Sequence, residues 1–305
     1  MELIEIEAFL EIADTGSFTA AAQRLAISQP AMSRRIELLE RELGSPLFAR
    51  GRGGATLTDA GEAFQPFARQ AVASLRDGAR AIQDLREGDR GRVAIALVGT
   101  LSSTRLTARI RAFRDAYPGI RLSLRTARSD EVSALVLRGE AEIGLRYFAD
   151  SSPALVSEWV EDEALCVVCA GDTRLIAGDR ETITIEQLRG VPWVSFPIAP
   201  GTSGDALARL LRQQLAAHQL DDAEIITIDS LTAQKRLVEA DFGLGLVPAS
   251  SVEEEVRLGT LRRLEIPGVD PVSPVYLLLR AGGYLSPAAQ AMRRMLGQSA
   301  TGDHT

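Results

Sequence analysis

Apolar positions recur first with the period of an α-helix. Leu3, Ile6, Leu10 and Ala13 fall on one helical face, and Gly16 follows where a left-handed turn costs glycine little. Ser17 is a good N-cap for a second, short helix over 18–25. Ala26, Ile27 and Ser28 make a tight break. Ser28 caps a third helix, with Pro30 in its first turn, where the missing N–H has no partner to lose. Met32, Ile36, Leu39 and Leu43 line one face of this helix, and Gly44 ends it. In 47–58, Gly51, Gly53 and Gly54 sit between short apolar ends, which predicts a hairpin or wing. A long helix over 59–87 follows. On it Phe64, Ala68, Ala71, Leu75, Gly78, Ile82 and Leu85 are spaced by fours and threes, the seam of a helix that pairs with another. Gly88-Asp89-Arg90-Gly91 reads as a linker.

From Arg92 the pattern alternates between strand and helix. RVAIALVG, IRLSLRT, AEIGLRY, EALCVVCAG, WVSF, EIITI, FGLGLVP and VYLLLR read as strands. Helices are expected over 102–116, 129–138, 203–217, 231–240 and from Ser286 to about Leu296. Such alternation predicts an α/β fold with largely parallel, buried strands. No internal repeat or low-complexity tract is visible.

Composition narrows the classes. At roughly 100–200 residues per domain, 305 residues suggest about two domains. No apolar run of about 18 residues exists to cross a membrane, and the acidic N-terminus lacks the basic region of a secretory signal. Two cysteines fit a reducing cytoplasm. His218 and His304 leave little for His-based catalysis or a zinc site, and neither metal nor cofactor is expected. The net charge of −7 argues against a protein coated in nucleic-acid-binding charge, but not against a small basic face. From Arg24 to Thr58 six arginines stand against Glu37, Glu40 and Glu42.

That basic stretch contains two short helices joined by a tight turn, a helix-turn-helix. Gln29 and Ser33 lie four apart on one face, with Arg34 adjacent. Gln can bond adenine N6/N7 and Arg can bond guanine O6/N7, each with two hydrogen bonds. Residues in the first turns of a recognition helix are those that reach base edges. Arg50 and Arg52, beside the glycine hairpin, suit phosphate or a minor groove.

These residues also carry a resemblance. FLEIADTGSFTAAAQRLAISQPAMSRRIELLERELGSPLFAR and LTDAG resemble the N-terminal domain of the LysR-type bacterial transcriptional regulators over about residues 1–61. One departure is that Gly53-Gly54 stand before LT, where the family often has Arg-Gly. The resemblance implies that Gln29, Ser33 and Arg34 read bases, with Pro30 near a thymine methyl. It implies that Ser28, Arg50, Arg52 and Thr58 position the DNA backbone, and that Phe64, Ala71, Leu75 and Ile82 pair two subunits. It further implies a homo-oligomer, a dimer of dimers, acting on double-stranded promoter DNA in the cytoplasm, with RNA polymerase as a further partner.

The implied architecture is a winged helix-turn-helix over 1–58, a linker and dimerisation helix with hinge over 59–91, an effector domain over 92–298 and a tail over 299–305. The effector domain resembles the periplasmic-binding-protein fold. Subdomain I is expected over 92–161 and 267–298 and subdomain II over 162–266, with crossings near Glu161-Asp162 and Ile266-Pro267. Ligands in open α/β sheets bind beyond the carboxyl ends of strands. That rule picks Thr100, Ser102, Ser103, Arg128, Ser129 and Arg146 on one side, and Ser195, Thr202 and Ser203 on the other. Two arginines and helix N-termini favour a small carboxylate or other anionic metabolite as effector.

Cys166 and Cys169 form C-x-x-C inside a strand-like run. Residues three apart on a strand face opposite ways, so core packing is expected rather than a redox pair. The chain shows no nucleophile elbow, metal triad or Rossmann fingerprint, which argues against an enzyme built on the α/β half. The attached helix-turn-helix argues against a solute-binding module alone.

Overall fold

The computed structural model describes residues 1–51, 54–87, 91–101, 104–176, 182–198, 206–267, 269 and 271–297. The chain divides into two compact units, one built on Met1–Leu85, the other on Arg86–Val136 and the residues from Glu140 onward.

The first unit begins with helices α1 (Leu3–Thr15), α2 (Phe18–Arg24) and α3 (Gln29–Leu43). Gly16 closes α1 in the left-handed region, at φ 64°, and its N–H bonds the Ile12 carbonyl. The Ser17 and Ser28 side chains accept from Ala20 N and Ala31 N at 3.3 Å each, so each caps the helix that follows it. Strands β1 (Phe48–Gly51) and β2 (Gly54–Leu57) pair antiparallel. The long helix α4 (Asp59–Glu87) follows. Phe9 meets Phe48 and Phe64 with ring centroids 5.4 and 5.3 Å apart, and Phe18 lies 5.6 Å from Phe48. With Ile12, Met32, Ile36 and Leu39 these rings make one core. Each fully buried side chain of this kind is worth about 1.5–3 kcal/mol relative to exposure.

The second unit runs through β3 (Arg92–Val98), α5 (Thr104–Ala116), β4 (Arg121–Ala127), α6 (Ser129–Leu137), β5 (Ile143–Tyr147) and β6 (Leu155–Ala170). Then come β7 (Trp193–Ser195), α7 (Ala206–Ala217), β8 (Ile225–Thr227), α8 (Leu231–Glu239), β9 (Leu244–Pro248) and α9 (Glu253–Leu258). Strands β10 (Leu261–Leu264) and β11 (Val272–Arg280) precede the last helix, α10 (Pro287–Gly297). Strand order is β4-β3-β5-β11-β6-β9-β7-β8, with β10 paired to β6.

The expectation of largely parallel strands holds at both ends, where β3 pairs β4 and β5, and β7 pairs β8 and β9. The middle differs. β6 and β11 are antiparallel to each other and to their neighbours, because they carry the chain between two subdomains instead of returning through a helix. β6 pairs β11 over Leu155–Ala164 and β9 from Leu165 onward, so a single 16-residue strand belongs to both subdomains. Its first half escapes the sequence pattern because Glu158, Glu161 and Asp162 break the apolar run. The structure neutralises two of these acids with arginines: Arg109 meets Glu161 at 2.9 Å, and Arg293 bonds Glu158.

Candidate nucleic-acid interface and effector cleft

Helix α3 is amphipathic. Met32, Ile36 and Leu39 are buried, while Gln29, Pro30 and Arg34 on the other side are exposed and Ser33 is half-buried. Gln29 Nε2 donates to Ser33 Oγ at 3.1 Å. The structure therefore brings Ser28, Gln29, Pro30, Ser33 and Arg34 together on the first turns of one exposed helix face.

A carboxylate that sequence reasoning missed fixes this helix to the wing. Glu40 Oε1 accepts from Leu47 N at 2.7 Å and Phe48 N at 3.2 Å. The signal was Glu40 itself, an acid on the half-buried side of an otherwise apolar helix face. Arg52 lies outside the described residues, as do Ser102, Ser103, Thr202 and Ser203 and the side chain of Arg50. Thr58 has structural work: its hydroxyl donates to Pro46 O at 2.6 Å and accepts from Gly61 N at 3.1 Å, which caps α4.

The seam of α4 divides in two. Phe64 and Ala68 turn inward, into the core with Phe9 and Val72. The Phe64 ring is half-buried and packs within its own unit. Ala71, Leu75 and Ile82 remain exposed, the last two by 58% and 57%. Phe67 and Leu85, at 70% and 86%, continue their stripe.

In the second unit a cleft of about 970 Å³ opens where strands of both subdomains end. Thr100 follows β3, Arg128 and Ser129 follow β4, and both hydroxyl residues are at least 96% buried. Neither Thr100 Oγ1 nor Ser129 Oγ has a hydrogen-bond partner among the described residues. Leaving a buried polar group unpaired costs about 1–3 kcal/mol; each of these oxygens exposes less than 1 Å², so a partner reaches it only if the wall around it shifts. Arg128 pairs with Asp130 at 3.4 Å on the exposed side.

The opposite wall is formed by Phe196 and Pro197 after β7, Asp229 and Ser230 after β8, and Ser250 and Ser251 after β9. Lys235 of α8 bonds Glu255 Oε1 at 2.5 Å and Ser251 O at 2.8 Å. Burial alone would raise the Glu255 carboxyl; the hydrogen bonds it accepts, led by that from Lys235, outweigh burial and hold it below its ordinary range. The strand-end rule applied to EIITI would have found Asp229 and Ser230.

Two expected effector residues stand elsewhere. Arg146 is buried in subdomain I, where its guanidinium bonds Asp150 Oδ2 at 2.6 Å, Ser133 Oγ at 2.8 Å and Tyr147 O at 3.3 Å. It does not line the cleft. Burial lowers its pKa and Asp150 offsets part of that. Ser195 is 4% exposed, and its carbonyl accepts from Ile228 N at 2.9 Å; the residues after it, Phe196 and Pro197, reach the cleft instead.

Cys166 and Cys169 are both free thiols on β6, with Cys169 buried. Among the described residues no group of three or more His, Cys, Asp or Glu could hold a metal ion, and no helix is long and apolar enough to cross a membrane.

A winged helix-turn-helix joined to a two-subdomain α/β domain with a cleft defines a ligand-responsive DNA-binding regulator by class. The family is equally plain. Residues 3–62 match the model of the bacterial regulatory helix-turn-helix proteins of the lysR family, and residues 86–301 match the LysR substrate binding domain. The chain belongs to the LysR family of transcriptional regulators and is not an enzyme. It is 27% identical over 302 residues to a probable RuBisCO transcriptional regulator of Trichormus variabilis, covering 96% of this chain and 87% of that one. It is 30% identical over 266 residues to an uncharacterized HTH-type regulator, YeiE, of Escherichia coli K12, covering 87% and 86%. Among solved structures it is similar to full-length CbnR complexed with its target DNA, at 25% identity and a TM-score of 0.56, covering 97% and 98%.

Proposed function

We propose that this regulator binds double-stranded promoter DNA through Gln29, Ser33 and Arg34, and that a small metabolite with an anionic group, held in the cleft, controls those contacts. Ser28 and Pro30 complete the DNA-facing surface, and Arg50 and Arg52 of the wing meet phosphate. Two chains pair through the α4 stripe of Ala71, Leu75 and Ile82, and two such dimers assemble on the promoter, where RNA polymerase is the further partner. The CbnR complex with DNA supports the DNA-facing role.

The observation that carries the effector reading is the pair of buried, unpartnered hydroxyls of Thr100 and Ser129 at one wall of the cleft. Ser129 also opens α6; helix N-terminal N–H groups favour an anion, and here Asp130 and Glu131 stand in the first turn, with Glu131 N already donating to Asp130 Oδ1 at 3.0 Å. A ligand that touches both walls prefers one relative orientation of the subdomains, and only that preference can shift the equilibrium.

A nuclease footprint upstream of the protein's own gene, with and without small carboxylates, tests this. The expected result is a protected inverted repeat that shortens or shifts with one compound and is lost in Gln29→Ala. Arg34→Ala should weaken specific binding by about 1–3 kcal/mol if it reads a guanine. Unchanged affinity and sequence preference in both variants would refute the recognition-helix assignment. Failure of unbiased selection from random DNA would refute the promoter reading.

A further inference from the structure

The two subdomains also meet apart from the cleft walls. β5 runs parallel to β3, so its carboxyl end points the same way as the Thr100 wall. The first residue beyond β5 is Phe148, half-buried and held at φ 58°. That left-handed region is unfavourable for any L side chain and a genuine outlier for a bulky one. Phe148 N donates to Pro274 O of β11 at 2.9 Å, which pins the backbone there. Asp150 fixes the turn that follows: its carboxylate accepts from Arg146 Nη1 and Ser133 Oγ at 2.6 Å each and from Ser152 N at 2.8 Å. Over the Phe148 ring lies the guanidinium of Arg209, from α7 of subdomain II, 5.7 Å from the ring centroid.

Arg209 has few other partners. It is half-buried, its Nε has no hydrogen-bond partner, and it forms no ion pair among the described residues. The charge it meets in subdomain I is a like one: burial lowers the Arg146 pKa most, and Arg209 lowers it further against the pull of Asp150. Asp150 is already engaged by Arg146. The face of one aromatic ring, whose quadrupole attracts a cation within about 6 Å, is what draws Arg209 to subdomain I.

Each side of this contact therefore carries a cost, a strained backbone on one and a poorly hydrated guanidinium on the other. Apart, Phe148 would relax and Arg209 would regain water. A contact so balanced is easily tipped, and backbone strain of this kind clusters in switch regions. We infer that Phe148 and Arg209 form a latch between the subdomains, which keeps them in the orientation seen here and releases when they reorient. Its bearing on DNA rests on the proposed control of promoter contacts by subdomain orientation; the latch itself needs no ligand.

The competing account is plain packing, in which the Arg209 stem covers Phe148 and the charge is idle. Pulsed electron-spin distance measurement on the full-length, ligand-free protein separates the two. Spin labels are placed at Gln213→Cys on α7 and Arg294→Cys on α10, both exposed, with Cys166 and Cys169 replaced by alanine. Labelled chains are diluted into unlabelled ones, so that each assembly carries one pair.

The expected result is one dominant distance in the parent chain and a second that grows about threefold or more in Arg209→Met and in Phe148→Leu. Both variants keep apolar bulk, so packing alone would leave the distances as they were. Phe148→Tyr keeps the ring face and should keep the parent distribution. The double variant Arg209→Met, Phe148→Leu should go no further than either single, because both break one contact. Unchanged distances in Arg209→Met, a Phe148→Tyr that opens as far as Phe148→Leu, or single effects that add in full would each overturn the latch. If Phe148→Leu fails to fold, Arg209→Met and Phe148→Tyr still decide. A latch that opens while the footprint on DNA stays the same leaves the inference standing and refutes the link from orientation to promoter contacts.

Discussion

Replacing Gly61 by alanine should unfold the DNA-binding unit at a much milder stress than wild type. A Cβ at Gly61 would stand 2.2 Å from Leu47 O and 2.9 Å from Leu57 Cδ2. Ordinary contact would require the carbonyl to retreat by about 1 Å. It is not free to do so, because it accepts from Thr58 N at 3.0 Å, beside the hydroxyl that caps α4. Overpacking costs about 1–3 kcal/mol, and loss of that hydrogen bond about 1 kcal/mol more. Against this stands the gain of about 1 kcal/mol that alanine brings to an ordinary helix position. The balance is a loss of about 1–3 kcal/mol. Both tryptophans, Trp159 and Trp193, lie in the second unit, so fluorescence would miss the event. Amide hydrogen exchange of the peptide containing α3, compared with that containing α8, reads it directly. The α3 amides should exchange about fivefold or more faster while the α8 amides stay unchanged. Gly16→Ala is the internal contrast: its space is open and only its φ of 64° opposes the change, so it should lose about 1 kcal/mol. Exchange in Gly61→Ala equal to or slower than wild type would refute the close-approach argument.

Ala26 lies in the turn between α2 and α3 at φ 52°, where an L side chain is strained by about 1–2 kcal/mol. Ala26→Gly should therefore gain up to about 1 kcal/mol after glycine's entropy cost, seen as slower exchange of α2 and α3. Glu163 is buried on β6 and accepts from Ser250 Oγ at 2.8 Å; burial pushes its carboxyl above the ordinary 4.5. A raised acid favours the folded state fully below its unfolded value, and stability falls as pH rises from there through the folded value. Glu163→Gln should flatten that part of the urea-stability profile, and an unchanged slope would refute it. Burial pushes the Cys166 thiol up to about 11, so iodoacetamide at pH 8 should leave native Cys166 unmodified yet label it in urea.

The sequence made legible whatever rests on local periodicity and caps. Ser17, Ser28, Gly16 and Gly44 end or begin helices because their backbone chemistry is nearly independent of what lies far away. The exposed face of α3 was readable for the same reason. Features that depend on distant partners were not. Phe64 and Leu75 look alike along the helix, but only Phe64 meets Phe9, some fifty residues earlier. Arg146 sits at a strand end as expected, and the Asp150 turn folds its guanidinium inward instead of towards the cleft. The first half of β6 hid behind its acids, whose arginine partners come from α5 and α10. The far wall of the cleft emerges only once the ends of β7, β8 and β9 are known to lie together.

The bond from Gln29 to Ser33 bears on affinity. In the free protein these two polar groups already satisfy one another across a helical turn. If Gln29 turns its amide to a base edge, it first gives up that contact. A matching adenine, with its paired donor and acceptor, replaces what was surrendered and adds to it. A mismatched base offers one bond for one lost. If Gln29 and Ser33 read bases as proposed, this cost falls on every base alike and cancels from the difference between match and mismatch; the self-association lowers affinity across all sequences and leaves discrimination to the base contacts themselves.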